Sequence, residues 1–223
     1  MLKIAEFEKL YETRYIFFQL KSSIEEYNAT LPNKAWPNFY LGKHGQSRVA
    51  TRTDPKHVNT LNMILMMLPG TPITYFGEEI GMEDGSGALM QWNAEAAAEE
   101  NSPIKIYKQV SSLRDSEVLL FGSLEMRVDG NVFVLSRLKK GNPGYILITN
   151  FGDTVKTISV VPDPKGTDPA MKNPTGIPNT ADKGILTMST PKNPDLLVGA
   201  SVNMAEISIP PGTTYLMTFV PNF

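Results

Sequence analysis

The sequence contains no cysteine and only two histidines, His44 and His57. Without cysteine the chain has no disulfide, no thiolate metal ligand and no thiol nucleophile. Two histidines are too few for an imidazole-rich metal site. The sequence therefore predicts no metal site.

A long hydrophobic run is also missing. No apolar stretch reaches the roughly 18 residues that suggest a membrane helix. The charged residues Glu6, Lys9, Glu12 and Arg14 interrupt the first stretch, which resembles neither a signal peptide nor a membrane span. The formal net charge is -2, and no run of Lys and Arg is longer than a pair. We therefore expect no binding to nucleic acid or to an anionic membrane.

Up to about residue 123, strand-like and helix-like segments alternate. The pattern predicts a strand at 35–42, a helix at 54–68, a strand at 71–82 and a helix at 101–116. Asp54 is suited to cap the first of these helices, with Pro55 at its first position. The cluster of Met63, Met66 and Met67 is interpreted as core filler. This alternation predicts parallel βα units.

After about residue 124 the helical period disappears. Short strand-like segments follow one another, and Asp129-Gly130 is a hairpin signal between the first two. The segment 162–194 contains seven prolines and is predicted to be a long irregular loop. The final segments, 204–209 and 215–220, are predicted to pair as a hairpin. The expected domains are 1–123, α/β, and 124–223, an antiparallel β-sandwich.

Several ordered motifs carry a resemblance to a known family. These are WPNFYLGKHGQSRVATR from residue 36, LNMILMMLPGTPITYFGEEIGMED from residue 61, MQW from residue 90 and SPIKIYKQVSSLR from residue 102. Together they resemble the last third of a maltase-type α-glucosidase of the α-amylase family. They are also similar to the ectodomains of heavy subunits of heteromeric amino-acid transporters. The resemblance implies the last part of a (β/α)₈ barrel followed by a C-terminal β-sandwich.

The resemblance also implies roles for the turn Lys43-His44-Gly45. The family's seventh strand ends in Asn-His-Asp, where the Asp is a catalytic carboxylate at the mouth of the barrel. His44 matches the histidine that contacts the sugar, and Arg48 matches an arginine of the same pocket. Gly45 stands where the carboxylate is expected, so His44 and Arg48 are predicted to bind substrate and no catalytic residue is predicted. Without the motif, His44 is a turn histidine and Arg48 a surface cation.

The resemblance implies that the family's two other catalytic carboxylates, at the ends of the fourth and fifth strands, would precede this sequence. Retaining hydrolysis needs a nucleophile and an acid/base carboxylate about 5 Å apart. Glu78 and Glu79 are adjacent, so on an extended strand they face opposite ways and form a rim pair rather than a catalytic dyad. We therefore expect a C-terminal fragment that is inactive alone. Strands 36–42 and 71–77 are expected to have unpaired edges, with the helix between them half covered.

The sequence is compatible with two functions and with an error in the gene model. Completed by the missing barrel half, the chain is expected to act on an α-glucoside without a cofactor. The alternative is a non-catalytic part of a transporter heavy subunit, whose partner is a membrane-embedded light subunit. A gene-model error that removed upstream exons is the third. The resemblance favours an extracellular or lumenal location for animal-like members and a cytoplasmic one for many bacterial members.

Overall fold

A computed structural model describes residues 2–3, 13–85, 89–93, 99, 101–162 and 177–223. The chain divides into two compact units, Met1–Leu120 and Phe121–Phe223. Among the residues described, no helix is both long and apolar enough to cross a bilayer.

The first unit contains a small parallel sheet and several helices. Three strands pair in the order β1-β2-β3, all parallel. The elements are β1 (Leu2–Lys3), α1 (Thr13–Thr30), β2 (Asn38–Tyr40), α2 (Val49–Arg52), α3 (Val58–Met67), β3 (Thr71–Ile73), α4 (Pro103–Ser112) and α5 (Glu117–Phe121), the last reaching the boundary between the units. Single 3₁₀ turns lie at Pro55–His57, Glu78–Ile80 and Leu113–Asp115.

The predicted βα unit is confirmed by β2, α3 and β3. The Asp54 carboxylate accepts a hydrogen bond of 3.1 Å from the backbone N–H of Lys56, and Pro55 opens the turn that leads into α3. All residues of α3 except Asn59 are buried, including the three methionines of the predicted core cluster. The expectation of a half-covered helix is therefore wrong. β2 is also paired on both sides, so its expected open edge is wrong as well.

The strand predicted at 71–82 is much shorter than expected. It ends at Ile73, and Glu78–Ile80 form a 3₁₀ turn. Gly77 and Gly81 flank this turn with φ angles of +88° and +71°, a conformation that glycine adopts without a steric cost. The prediction that Glu78 and Glu79 alternate along an extended strand is therefore wrong, because the two glycines favour a turn.

The second unit is antiparallel β structure, as the sequence predicted. Six strands pair in the order β4-β5-β6-β11-β8-β9, and β10 pairs with β7 in a separate two-stranded sheet. The strands are β4 (Ser123–Asp129), β5 (Val132–Leu138), β6 (Gly144–Asn150), β7 (Lys156–Ile158), β8 (Lys183–Thr190), β9 (Ser201–Asn203), β10 (Ile207–Ile209) and β11 (Thr214–Phe219). Both sheets contribute side chains to one buried cluster, for example Ile148, Tyr215 and Ile207.

Two strand predictions in this unit are wrong and one is confirmed. β8 lies inside the segment predicted to be irregular, whose residues 163–176 lie outside the described part. Gly184, Leu186 and Met188 of β8 are buried, an alternation that the many prolines nearby obscured. β10 pairs with β7 and not with β11, because its isoleucines face the shared core. The β4–β5 hairpin is confirmed, with Asp129 opposite Val132.

Candidate functional site

The sequence after β2 forms a tight turn that presents His44. The backbone N–H of Gln46 donates a hydrogen bond of 3.2 Å to the carbonyl oxygen of Lys43, which closes the turn. Gly45 is the third residue of this turn and has a φ angle of +78°, the region in which a type II turn requires glycine. No atom lies within 4 Å of the position that a Cβ on Gly45 would take, and His44 is exposed. The turn therefore exposes the imidazole of His44 and leaves open space beside position 45.

Arg48 is packed against two aromatic rings that follow β3. Its side chain is only 8% exposed, and its Nη1 donates a hydrogen bond of 2.6 Å to the carbonyl oxygen of Phe76. The guanidinium carbon lies 4.7 Å from the ring centroid of Phe76 and 5.1 Å from that of Tyr75. Cation–π contacts of this kind are stronger when the cation is shielded from water. Arg48 therefore fixes the aromatic pair.

His44 and Arg48 meet at the same aromatic pair. The Tyr75 hydroxyl lies 3.5 Å from Nδ1 of His44, at the long limit of a hydrogen bond. The rings of Tyr75 and Phe76 are 4.8 Å apart at their centroids and tilted by 59°. Sequence reasoning named neither aromatic residue. The available signal was an aromatic pair directly before Gly77, at the end of a predicted strand.

A carboxylate and an arginine hold the loop between β2 and α2. Asp84 accepts hydrogen bonds from the hydroxyl of Ser47 and, at 2.9 Å, from the backbone N–H of Arg48. These hydrogen bonds lower the pKa of Asp84. Arg52 donates hydrogen bonds of 2.7 Å to the carbonyl oxygens of Leu41 and Ser47, which lie at the two ends of the loop. The backbone that carries His44 is thus tied at both ends.

Glu78 is a buried carboxyl group beneath the turn. It is 1% exposed, and its Oε2 accepts a hydrogen bond of 3.0 Å from the backbone N–H of Tyr75. Its Oε1 has no hydrogen-bond partner among the described residues, and a Cβ on Gly42 would lie 2.4 Å from this oxygen. Burial raises the pKa of Glu78 to about 7, although the Tyr75 N–H and the Arg52 guanidinium favour the ionised form. A side chain at position 42 would therefore force the carboxyl group of Glu78 to shift.

The described part of the chain holds no cluster of three or more His, Asp or Glu side chains able to bind a metal ion. The arrangement offers an exposed imidazole, a tyrosine hydroxyl and an aromatic face. Such a surface can bind a polar ring-shaped ligand, and no carboxylate lies among the four residues of the turn itself.

Comparison with known proteins finds related sequences. A family model described as "Alpha amylase, catalytic domain" matches residues 3–175. The amino acid transporter heavy chain SLC3A1 of Rattus norvegicus is 30% identical over 190 residues, covering 63% of this chain and 28% of that protein. Maltase A1 of Drosophila melanogaster is 24% identical over 191 residues, covering 61% and 33%. The chain thus spans about a third or less of these relatives.

Solved structures of similar fold include trehalulose synthase MutB. The R284C mutant of this synthase has a TM-score of 0.67 and 14% sequence identity, covering 96% of this chain and 49% of the synthase. MutB from Pseudomonas mesoacidophila MX-45 has a TM-score of 0.63 at the same identity, covering 90% and 46%. At this identity the likeness establishes a shared fold alone.

Proposed function

We propose, from the premise that the chain belongs to the alpha-amylase catalytic-domain family, that it is the C-terminal portion of an α-glucosidase-like glycoside hydrolase. The membership confirms the resemblance drawn from the sequence motifs, since maltases and transporter heavy chains are both among the relatives. The observation that carries the proposal is the family match over residues 3–175, which includes the parallel strands β2 and β3 and the turn at His44.

The proposal assigns each half of the chain a structural identity. Residues 1–123 are the C-terminal strands and helices of an incomplete (β/α)₈ barrel, with β2 and β3 as its last two strands. Residues 124–223 are a C-terminal β-sandwich, which is supported by the single core that the six-stranded and two-stranded sheets share. The boundary is supported by the division of the chain into compact units after Leu120.

The proposed ligand of the site is an α-glucoside. His44 contacts the sugar directly, and Arg48 supports the same pocket through its contacts with the two aromatic rings. Neither residue is assigned a catalytic role, and no cofactor is required. Hydrolysis with retention needs two carboxylates about 5 Å apart. In this proposal both carboxylates belong to barrel strands outside the chain. Gly45 stands at the position of the third carboxylate of the family, so the chain alone is inactive.

The second candidate function is a portion of a transporter heavy subunit, which binds a membrane-embedded light subunit and needs no catalysis. The observation that favours it is the glycine at position 45, since a non-catalytic protein has no requirement for the carboxylate there. The heavy-chain relatives are also as similar to this chain as the maltases are. An extracellular or lumenal location is proposed for either function in an animal source.

Sequencing the transcript upstream of the codon for Met1 tests the proposal. We expect an open frame that encodes further barrel strands, with carboxylates after the fourth and fifth strands. A membrane span followed by a cysteine would contradict the hydrolase proposal and support the transporter heavy subunit. An in-frame stop codon directly before Met1 would contradict the fragment proposal itself.

Restoring a carboxylate at position 45 is expected to produce no hydrolase activity. In Gly45→Asp the new side chain has room, since nothing lies within 4 Å, but the φ angle of +78° costs it about 1 kcal/mol. One carboxylate cannot serve as both nucleophile and acid/base. Release of chromophore from an α-glucoside is the measurement, with unchanged tryptophan fluorescence as the control for folding. Hydrolysis by the variant would reveal a second catalytic carboxylate within this chain.

A further inference from the structure

We propose that the ring of Phe76 is a stacking surface for the pyranose ring of an α-glucoside, with His44 and the Tyr75 hydroxyl bonding the sugar hydroxyls at its edge. This inference rests on the proposed α-glucoside site at the same turn. It adds a binding residue that lies on the segment after β3, outside the motif that carries His44 and Arg48.

Phe76 is exposed to solvent, although Arg48 and Tyr75 contact its ring. Its side chain is 39% exposed, on the segment between β3 and the 3₁₀ turn that contains the buried Glu78. It has no polar atom, so its exposed ring gains nothing from water. A ligand with an apolar face would cover this surface favourably.

Two neighbouring side chains, Arg48 and Tyr75, pack against the ring of Phe76. The Arg48 guanidinium packs against the ring of Phe76 and donates a hydrogen bond to its carbonyl oxygen, so side chain and backbone are fixed by the same residue. The ring of Tyr75 also contacts it, with centroids 4.8 Å apart and ring planes tilted by 59°. Arg48 is in turn bonded through its backbone N–H to Asp84. A preorganised ring loses little entropy when a ligand binds.

Polar groups lie beside this apolar surface. The Tyr75 hydroxyl lies 3.5 Å from Nδ1 of the exposed His44, so each group can donate to or accept from a ligand hydroxyl. The backbone of Tyr75 is fixed by the hydrogen bond of its N–H to Glu78. A pyranose combines a C–H face with hydroxyl groups around its rim, and this pattern matches an aromatic face with an imidazole and a phenol at its edge.

A histidine signal offers a direct test, because the chain has only His44 and His57. The Cε1–H resonance of His44 is followed by NMR in the full chain while methyl α-D-glucopyranoside is added to tens of millimolar. We expect a saturable shift. In Phe76→Ala we expect the midpoint to rise at least tenfold, as the loss of an aromatic contact predicts. Phe76→Tyr should restore a midpoint close to that of the wild type.

Three controls separate the outcomes. Phe121→Ala, which removes another exposed ring from the other unit, should leave the midpoint unchanged. Mannitol, a polyol without a ring face, should produce no saturable shift, and the tryptophan emission of Phe76→Ala should match the wild type. An unchanged midpoint in Phe76→Ala would overturn the stacking surface and leave the sugar site at His44 standing. Absence of any saturable shift in the wild type would overturn both the stacking surface and the sugar site at His44. This outcome does not depend on the sequence of the upstream transcript.

Discussion

The first unit is expected to lose about 3 kcal/mol of stability as the pH rises from about 4.5 to about 7. Replacing Glu78 by Gln is expected to remove this pH dependence. Burial raises the pKa of Glu78 to about 7 in the folded protein, against 4.5 for an unperturbed glutamate. Between these two values the folded state keeps its proton while the unfolded chain releases it. Stability therefore falls as the pH rises, and the loss is complete above pH 7.

Urea unfolding at several pH values, followed by tryptophan fluorescence, is the measurement. Both tryptophans, Trp36 and Trp92, lie in the first unit, so the signal reports that unit alone. Glu78→Gln should exceed the wild type in stability at pH 8 and approach it near pH 4.5. Glu26→Gln, which neutralises an exposed carboxylate on α1, is the matched control and should keep the wild-type slope. Parallel profiles for Glu78→Gln and the wild type would contradict the assignment.

Replacing Arg114 by Met is expected to destabilise the first unit by about 3 kcal/mol. Its Nη1 donates hydrogen bonds of 3.0 Å and 2.6 Å to the carbonyl oxygens of Met66 and Leu68, and its Nη2 donates to that of Gly70. The first two carbonyls end α3, where no further helical N–H is available to them. The guanidinium also places a positive charge at a helix C-terminus. Methionine fills similar space and leaves all three oxygens without this donor.

The same fluorescence-detected unfolding measures this effect. Arg114→Lys is the matched variant, because it keeps the charge but lacks the planar fork that reaches three carbonyls. We expect it to recover only part of the loss. If Arg114→Met unfolds at the wild-type urea concentration, the three carbonyls must be satisfied in another way, and the role assigned to Arg114 is wrong.

The elements that the sequence predicted correctly are those with local causes. Asp54 and Pro55 specify the turn that starts α3, because a capping carboxylate and a fixed φ angle act within three residues. The β4–β5 hairpin follows from a short turn between two alternating segments. The burial of the methionines of α3 follows from their place beside apolar residues spaced three and four positions apart along the helix.

The elements that were mispredicted depend on contacts between distant segments. The pairing of β10 with β7 is decided by the core that Ile207 and Ile158 share, and nothing in the residues around β10 distinguishes this partner from β11. The 3₁₀ turn at Glu78 depends on two positive φ angles, which a β-branched and aromatic run before it concealed. Strand propensity describes half-buried pleated surfaces and does not identify the partner strand.

The candidate site also contains residues that a local motif predicted and contacts that only the fold creates. His44 and Arg48 were predicted from their motif, and their predicted contact with a sugar stays a prediction. Arg48 contacts both Tyr75 and Phe76, and His44 lies near the Tyr75 hydroxyl, so these contacts link residues about thirty positions apart that only the folded chain brings together. The burial of Glu78 beneath Gly42 is equally a product of the fold, since a Glu-Glu pair after a strand reads as a solvated rim.

The central claim, that this chain carries a glucosidase-like site without the means to hydrolyse, is tested most directly by assaying the purified chain on a chromogenic α-glucoside from about pH 4 to about pH 8. The account predicts no release of chromophore above a blank at any pH in this range. Turnover that survives further purification and disappears in His44→Ala would contradict it, because such activity would depend on the site of this chain and not on a contaminating enzyme.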